Sequence, residues 1–98
     1  MAMFDLPVMT PEDRRRYTRF RQALLKDGFI MLQFSVYARY CQSEESSTVH
    51  RKRVRQALPE QGNVRLLAVT DKQYAKMDCY IGKKKSTTEE PPDQLVLF

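Results

Sequence analysis

Residues 29–40 limit what this chain can fold into more than any other stretch. They alternate without a break: Ile30, Leu32, Phe34, Val36, Ala38 and Tyr40 fall on one side, and Phe29, Met31, Gln33, Ser35, Tyr37 and Arg39 on the other. Period two is the spacing of an extended strand, so the run is one long strand, or two consecutive strands with a bend near residues 33–35. The second side starts too apolar for a face bathed in water. A sheet built around this run has to be covered on both faces.

The segments before it supply a strand and a helix. Met3-Phe4-Asp5-Leu6-Pro7-Val8 is a short apolar run cut by one carboxylate and then by a proline. Proline lacks the amide proton that continues a ladder, so Pro7 ends this first strand and leaves Asp5 near its exposed tip. An aspartate there either accepts hydrogen bonds from a turn, the ordinary use, or does chemistry. Thr10-Pro11-Glu12-Asp13 then reads as a helix start, with Thr10 as N-cap, Pro11 in the first turn, acids at the positive end of the dipole and Asp13 able to close a capping box. The helix runs to about Asp27, with Gly28 as its left-handed stop. Tyr17, Phe20 and Leu24 form its buried stripe, while Arg14, Arg15, Arg16, Arg19, Arg21 and Lys26 crowd the rest. Arginines in a first turn stand where the dipole disfavours them, which hints at a use.

After the alternating run, residues 41–48 read as a polar loop, and a short basic helix follows from about Ser47, with His50, Val54, Ala57 and Leu58 on one side and Arg51, Lys52, Arg53 and Arg55 around it. Pro59 and Gly62-Asn63 end it. Residues 64–69 read as a strand interior to a sheet, Thr70-Asp71-Lys72-Gln73 as a turn, and residues 74–81 as an outer strand. This places a domain over residues 1–82, a Lys- and Pro-rich linker over 83–93, and an apolar docking strand over 94–98 that pairs with a sheet edge in its own subunit or in a partner's, the second being the favoured reading.

At 98 residues, with 42% hydrophobic and 30% charged residues, the chain has the composition of one soluble globular domain that self-association would help to stabilise. It has no apolar run of membrane-spanning length and no cationic leader, so no membrane partner is expected and a cytoplasmic location is the default. Cys41 and Cys79 lack a metal-binding spacing and read as buried thiols, and the single His50 as a surface or helix residue. The net charge of +5 favours a polyanionic partner.

The order of elements, strand, helix, strand pair, helix, strand, gives an α+β ferredoxin-like βαββαβ sandwich with an antiparallel sheet, an additional strand and a C-terminal tail strand. Two helices cover only one face of such a sheet, so a second copy covering the other makes a two-fold homodimer the expected state. A single carboxylate is a weak Mg²⁺ site, but two Asp5 residues near a two-fold axis, with phosphate oxygens and water, are chemically adequate. No glycine-rich phosphate loop, GxSxG elbow or HExxH motif competes with this reading.

Met3-Phe4-Asp5-Leu6-Pro7, the helix 14–21, the segment 28–37 containing Gln33-Phe34-Ser35-Val36-Tyr37, and the segment 63–77 containing Val69-Thr70-Asp71-Lys72-Gln73 together resemble the CRISPR-associated protein two family, especially members from single-effector systems. The likeness covers most of the chain. It departs in the short lead before Asp5, where family members usually have a longer first strand. The resemblance implies a ferredoxin-like homodimer acting in spacer acquisition, a scaffold for duplex DNA flanked by dimers of the integrase, CRISPR-associated protein one. For some members it also implies a Mg²⁺-dependent endonuclease cleaving single-stranded RNA or double-stranded DNA, with Asp5 as catalytic residue and metal ligand.

Two functions follow for test. As a scaffold, the chain would meet backbone phosphates through Arg14, Arg15, Arg16 and Arg19, with Arg39, Lys83, Lys84 and Lys85 as further contacts, and without reading bases. As a nuclease it would work through Asp5. A small-molecule regulatory module of the same fold gives no reason for so many arginines.

Overall fold

The computed structural model describes residues 1–86 and 96–97. Strand β1 spans Ala2–Asp5, followed by helix α1 over Pro11–Lys26, a hairpin of β2 (Ile30–Gln33) and β3 (Val36–Ala38), and a short β4 (Tyr40–Cys41). Helix α2 covers Glu44–Gln56, and β5 covers Asn63–Leu66. Then come β6 (Val69–Thr70), helix α3 (Asp71–Ala75), a hairpin of β7 (Cys79–Ile81) and β8 (Lys84–Ser86), and β9 (Val96–Leu97).

The main sheet has the order β2-β3-β1-β5, and every neighbouring pair in it is antiparallel. With α1 and α2 as the crossovers, this is the βαββαβ arrangement of a ferredoxin-like fold. The expected bend in the alternating run is a hairpin turn at Phe34 and Ser35, with Ser35 at φ +61° and a register shift between Met31 and Gln33.

Helix α1 starts as its sequence dictates. The Thr10 hydroxyl accepts from the Asp13 amide at 3.0 Å, and the Asp13 carboxylate accepts from the Thr10 amide at 3.2 Å, a closed capping box with Asp in place of the usual Glu. Asp27 caps the other end, followed by Gly28 at φ +90°.

Phe20 and Leu24 of α1 and Val54 of α2 meet Ala2, Phe4, Phe29 and Tyr37 in one core between helices and sheet. Phe4 is its hub, edge-on to Phe20 at 5.1 Å between ring centres and stacked on Tyr37 at 5.6 Å. Burying an aromatic of this kind contributes on the order of 2–3 kcal/mol. Of the two sides of the alternating run, the one bearing Phe29 and Tyr37 therefore lies under the helices. Ala38, Leu32 and Tyr40 face away, where Tyr74 and Met77 pack on them with Met1 and Val69.

Several expected elements take a different form. Residues 43–46 are the start of α2 and not a loop: Ser43 is the N-cap, its hydroxyl accepting from the Ser46 amide at 3.1 Å, and Glu44 and Glu45 occupy the first turn. Thr70-Asp71-Lys72-Gln73 opens α3 through a second capping box between Thr70 and Gln73, so only residues 79–81 of the expected outer strand are extended. Strand β5 lies at the edge of its sheet, not in the interior. The stretch read as linker begins with the strand Lys84–Ser86, paired with β7. The expected docking strand is present at Val96–Leu97, where β9 lies between β4 and β6, antiparallel to both. The rest of the tail and residues 87–93 lie outside the described residues.

Candidate nucleic-acid interface and strand-end carboxylate

Asp5 is the last residue of β1 and is exposed. Because Ala2 and Phe4 point into the helix-side core, alternation sends Met3 and Asp5 to the opposite face of the sheet. In register across β5, Asp5 lies opposite Asn63 and Met3 opposite Arg65, so Asn63 and Arg65 share that face with the carboxylate. Arg65 was hidden in a segment that reads as apolar. Its signal is the alternation of Asn63 and Arg65 with Val64 and Leu66, and β5's edge position gives it solvent.

The strand end is held tightly on both sides. The Phe4 amide donates to the Ser35 carbonyl at 3.1 Å, and Gly62, at φ +98°, runs so close that a Cβ there would sit 2.7 Å from the Asp5 carbonyl oxygen and 2.6 Å from Leu6 Cδ2. No group of three or more His, Cys, Asp or Glu side chains gathers anywhere among the described residues. One carboxylate with a neighbouring amide is a partial fit to Mg²⁺, which commonly takes one or two carboxylates and completes its shell with substrate phosphates and water.

The helix arginines divide into two groups. Arg14, Arg15 and Arg19 are exposed and line one shallow concavity with Thr18 and Gln22. The Arg14 guanidinium donates to the Val8 carbonyl at 3.3 Å, and among the described residues Arg15 and Arg19 meet no carboxylate. Arg16, by contrast, is held by Asp13 at 3.1 Å and Glu12 at 3.6 Å on the side facing residues 57–60. Arg21 donates to the Tyr37 hydroxyl at 2.8 Å.

Arg39 lies away from this group, beyond the C-terminal end of α1. Its Nε donates to His50 Nε2 at 3.0 Å, its Nη1 to the Tyr40 carbonyl at 3.2 Å, and its guanidinium packs on Gly28. His50 is correspondingly buried and not on the surface. Its Nδ1 is 2.7 Å from the Asp27 carboxylate, which also takes the Arg53 guanidinium at 2.8 Å. The tautomer that satisfies this network carries the proton on Nδ1. Lys83, Lys84 and Lys85 form the exposed tip and return strand of the β7–β8 hairpin, with Lys85 paired to Asp78 at 3.0 Å. Helix α2 adds exposed Arg51, Lys52 and Arg55 to the same helical layer.

Cys41 is buried and Cys79 half-buried, neither in a disulfide. Burial pushes the Cys41 thiol pKa up, an effect only partly offset by nearby Arg39. No helix among the described residues is long and apolar enough to cross a membrane.

Fold and surface together define a small ferredoxin-like α+β domain with a basic helical layer and an isolated strand-end acid. Comparison with known proteins narrows this. The family model described as CRISPR associated protein Cas2 matches residues 1–77. Three relatives named CRISPR-associated endoribonuclease Cas2 align over the whole chain: one from Parvibaculum lavamentivorans at 51% identity covering 97% of that protein, one from Flavobacterium psychrophilum at 46% covering 85%, and one from Lacticaseibacillus rhamnosus at 42% covering 97%. The chain belongs to the Cas2 family.

Proposed function

We propose that this chain acts in CRISPR spacer acquisition as a homodimeric scaffold that holds duplex DNA by its phosphates, between dimers of the partner integrase, CRISPR-associated protein one, in the cytoplasm. The observation that carries the reading is the exposed trio Arg14, Arg15 and Arg19 on one concavity, with none of the three meeting a carboxylate among the described residues. Arg16, bound to two acids, contributes less, and Arg39 acts through packing. Family membership supplies the CRISPR context. The homodimer is supported by the sheet face that α3 leaves partly open, where Ile30 is 58% exposed and lies in register with Ala38.

The test is the salt dependence of duplex binding. Each neutralised phosphate contributes roughly −0.9 to the slope of log affinity against log salt. Replacing Arg14, Arg15 and Arg19 with Ala should therefore flatten the slope by about 2–3 per chain, equally for unrelated sequences. A slope unchanged in the triple variant, or binding that depends on sequence and not on salt, refutes the reading. Co-purification with the integrase and an integration assay on the same variant place the effect in acquisition.

A second reading is a Mg²⁺-dependent endonuclease acting on RNA or DNA. It is favoured by the exposed, firmly held Asp5 beside Asn63 and by the name endoribonuclease that the relatives carry. Asp5 and Asn63 would hold the ion, joined by a second Asp5 if two copies meet on a two-fold axis. Such an ion, when bound, supplies an activated water and charge stabilisation on phosphate. Asp5→Asn should abolish cleavage of single-stranded RNA and duplex DNA while leaving duplex affinity within about twofold, since a lost carboxylate removes no phosphate contact. Cleavage that survives in Asp5→Asn assigns the activity elsewhere.

A further inference from the structure

The four strands of the main sheet contain two charged residues, Asp5 on β1 and Arg65 on β5. Both are exposed, and both fall on the face away from the helix-side core. Register fixes their spacing. Asp5 lies opposite Asn63 and Met3 opposite Arg65, so Arg65 is the diagonal neighbour of the carboxylate, two residues along the edge strand. Diagonal neighbours on one face are about 7–8 Å apart at the backbone, within reach of a long side chain. Around the pair the face is uncharged, with Met3 opposite Val36 and Val36 opposite Gln33.

Opposite charges at this separation attract, yet they do not close on each other: among the described residues neither Asp5 nor Arg65 makes an ion pair. The strand end that carries Asp5 is held by the hydrogen bond from Phe4 to the Ser35 carbonyl and by the close approach of Gly62. Arg65 is held at its backbone, in the ladder between β1 and β5. What fits between a rigid carboxylate and an open guanidinium is a cation followed by an anion. Carboxylate, Mg²⁺, phosphate and guanidinium then alternate in sign, and a guanidinium grips phosphate through two parallel hydrogen bonds.

We propose that Arg65 is the phosphate-binding residue of the strand-end site, gripping the non-bridging oxygens of the phosphodiester that an ion on Asp5 also contacts. This rests on the nuclease reading above and adds to it a second nucleic-acid surface, on the sheet side of the molecule and separate from the arginines of α1. The group recognised is the backbone phosphate, which carries no sequence information, so the site takes any base.

The experiment measures binding of a fluorescent single-stranded RNA to the full chain by anisotropy, once in EDTA and once with Ca²⁺, which takes oxygen ligands as Mg²⁺ does, with gels to confirm that the RNA stays intact. Wild type should bind more tightly with the ion. Arg65→Ala should lose roughly ten- to hundredfold with Ca²⁺, the range of a hydrogen bond to a charged group, but about twofold or less in EDTA, because guanidinium and ion act on one phosphate. Arg65→Lys, which keeps the charge and loses the fork, should fall between the two. On an Asp5→Asn background the ion should bring no gain, and removing Arg65 should cost no more with it than without it. Duplex affinity and melting of Arg65→Ala should match wild type, since Arg14, Arg15 and Arg19 are untouched and Arg65 is exposed. An equal loss with and without the ion makes Arg65 an ordinary backbone contact and overturns the proposal. So does no loss in either, no gain from the ion in wild type, or a changed sedimenting mass of Arg65→Ala, which makes it a subunit contact. Wild type that cleaves neither RNA nor duplex DNA with Mg²⁺ refutes the nuclease reading instead, and the ion-dependent loss at Arg65 then decides the phosphate site alone.

Discussion

Replacing Gly62 with alanine tests how the candidate carboxylate is held. Two costs add. A non-glycine residue in the left-handed region costs about 1–2 kcal/mol, and Gly62 sits at φ +98°. The new methyl would also lie 2.7 Å from the Asp5 carbonyl oxygen and 2.6 Å from Leu6 Cδ2, and the first of these is backbone locked into a strand pair that cannot swing aside. Backbone displacement of this kind adds a further ~1–2 kcal/mol. The sum, about 2–4 kcal/mol, corresponds to a fall in Tm of roughly 10–25 °C for a domain of this size. Gly82→Ala is the control, because it has φ +63° but nothing within 4 Å of the added methyl, and should cost only the backbone share. Thermal melts followed by circular dichroism, with urea midpoints at constant m-value, read the difference. Equal melting of the two variants would show that the approach of Gly62 to Asp5 is not a constraint.

Asp27→Ala leaves the buried His50 Nδ1 without its acceptor and should cost about 1–3 kcal/mol, whereas Arg53→Ala removes a partner that is 58% exposed and should cost under about 1 kcal/mol, as urea titrations would show. In a thiol-alkylation time course Cys79 should react first and Cys41 only as fast as the chain opens, since burial of Cys41 both blocks access and disfavours the thiolate. The same raised thiol pKa means that the folded chain holds this proton more tightly than the unfolded one. Its contribution to stability is present below the ordinary thiol value of 9.0 and is lost as pH rises beyond it, which melts between pH 7 and 10 would follow against Cys41→Ala.

The parts of the fold readable from sequence are those where one local rule decides. Thr10, Pro11 and Asp13 start α1 by capping chemistry, Pro7 leaves Asp5 at a strand tip, and unbroken alternation marks the hairpin. What was not legible depended on comparing faces or on short elements. Alternation assigns Phe29 and Tyr37 to one side but does not say that this side lies under the helices, a matter settled by packing on Phe4 and Phe20. Ser43 and Thr70 carry the same capping logic as Thr10, yet their polar surroundings resemble loops, and α3 is too short to show a periodic stripe. His50 reads as a surface or helix residue, and it is a buried one on α2 because its burial depends on Asp27 and Arg39, far away in sequence. Among the candidate site residues, a run of arginines shows which side chains are basic, but not that Arg16 is spent on its own helix while Arg15 and Arg19 meet no carboxylate among the described residues.

Strand β9 orders events in time. Its two residues are synthesised last among the described ones, yet they lie between β4 and β6 and hydrogen-bond to both. As the chain leaves the ribosome, the four-stranded sheet has all its members once β5 emerges, whereas β4 and β6 wait with open edges. The smaller sheet is thus assembled by long-range closure after the core, the slow kind of contact, and with only two residues per strand it should be the first part of the molecule to exchange its amide protons.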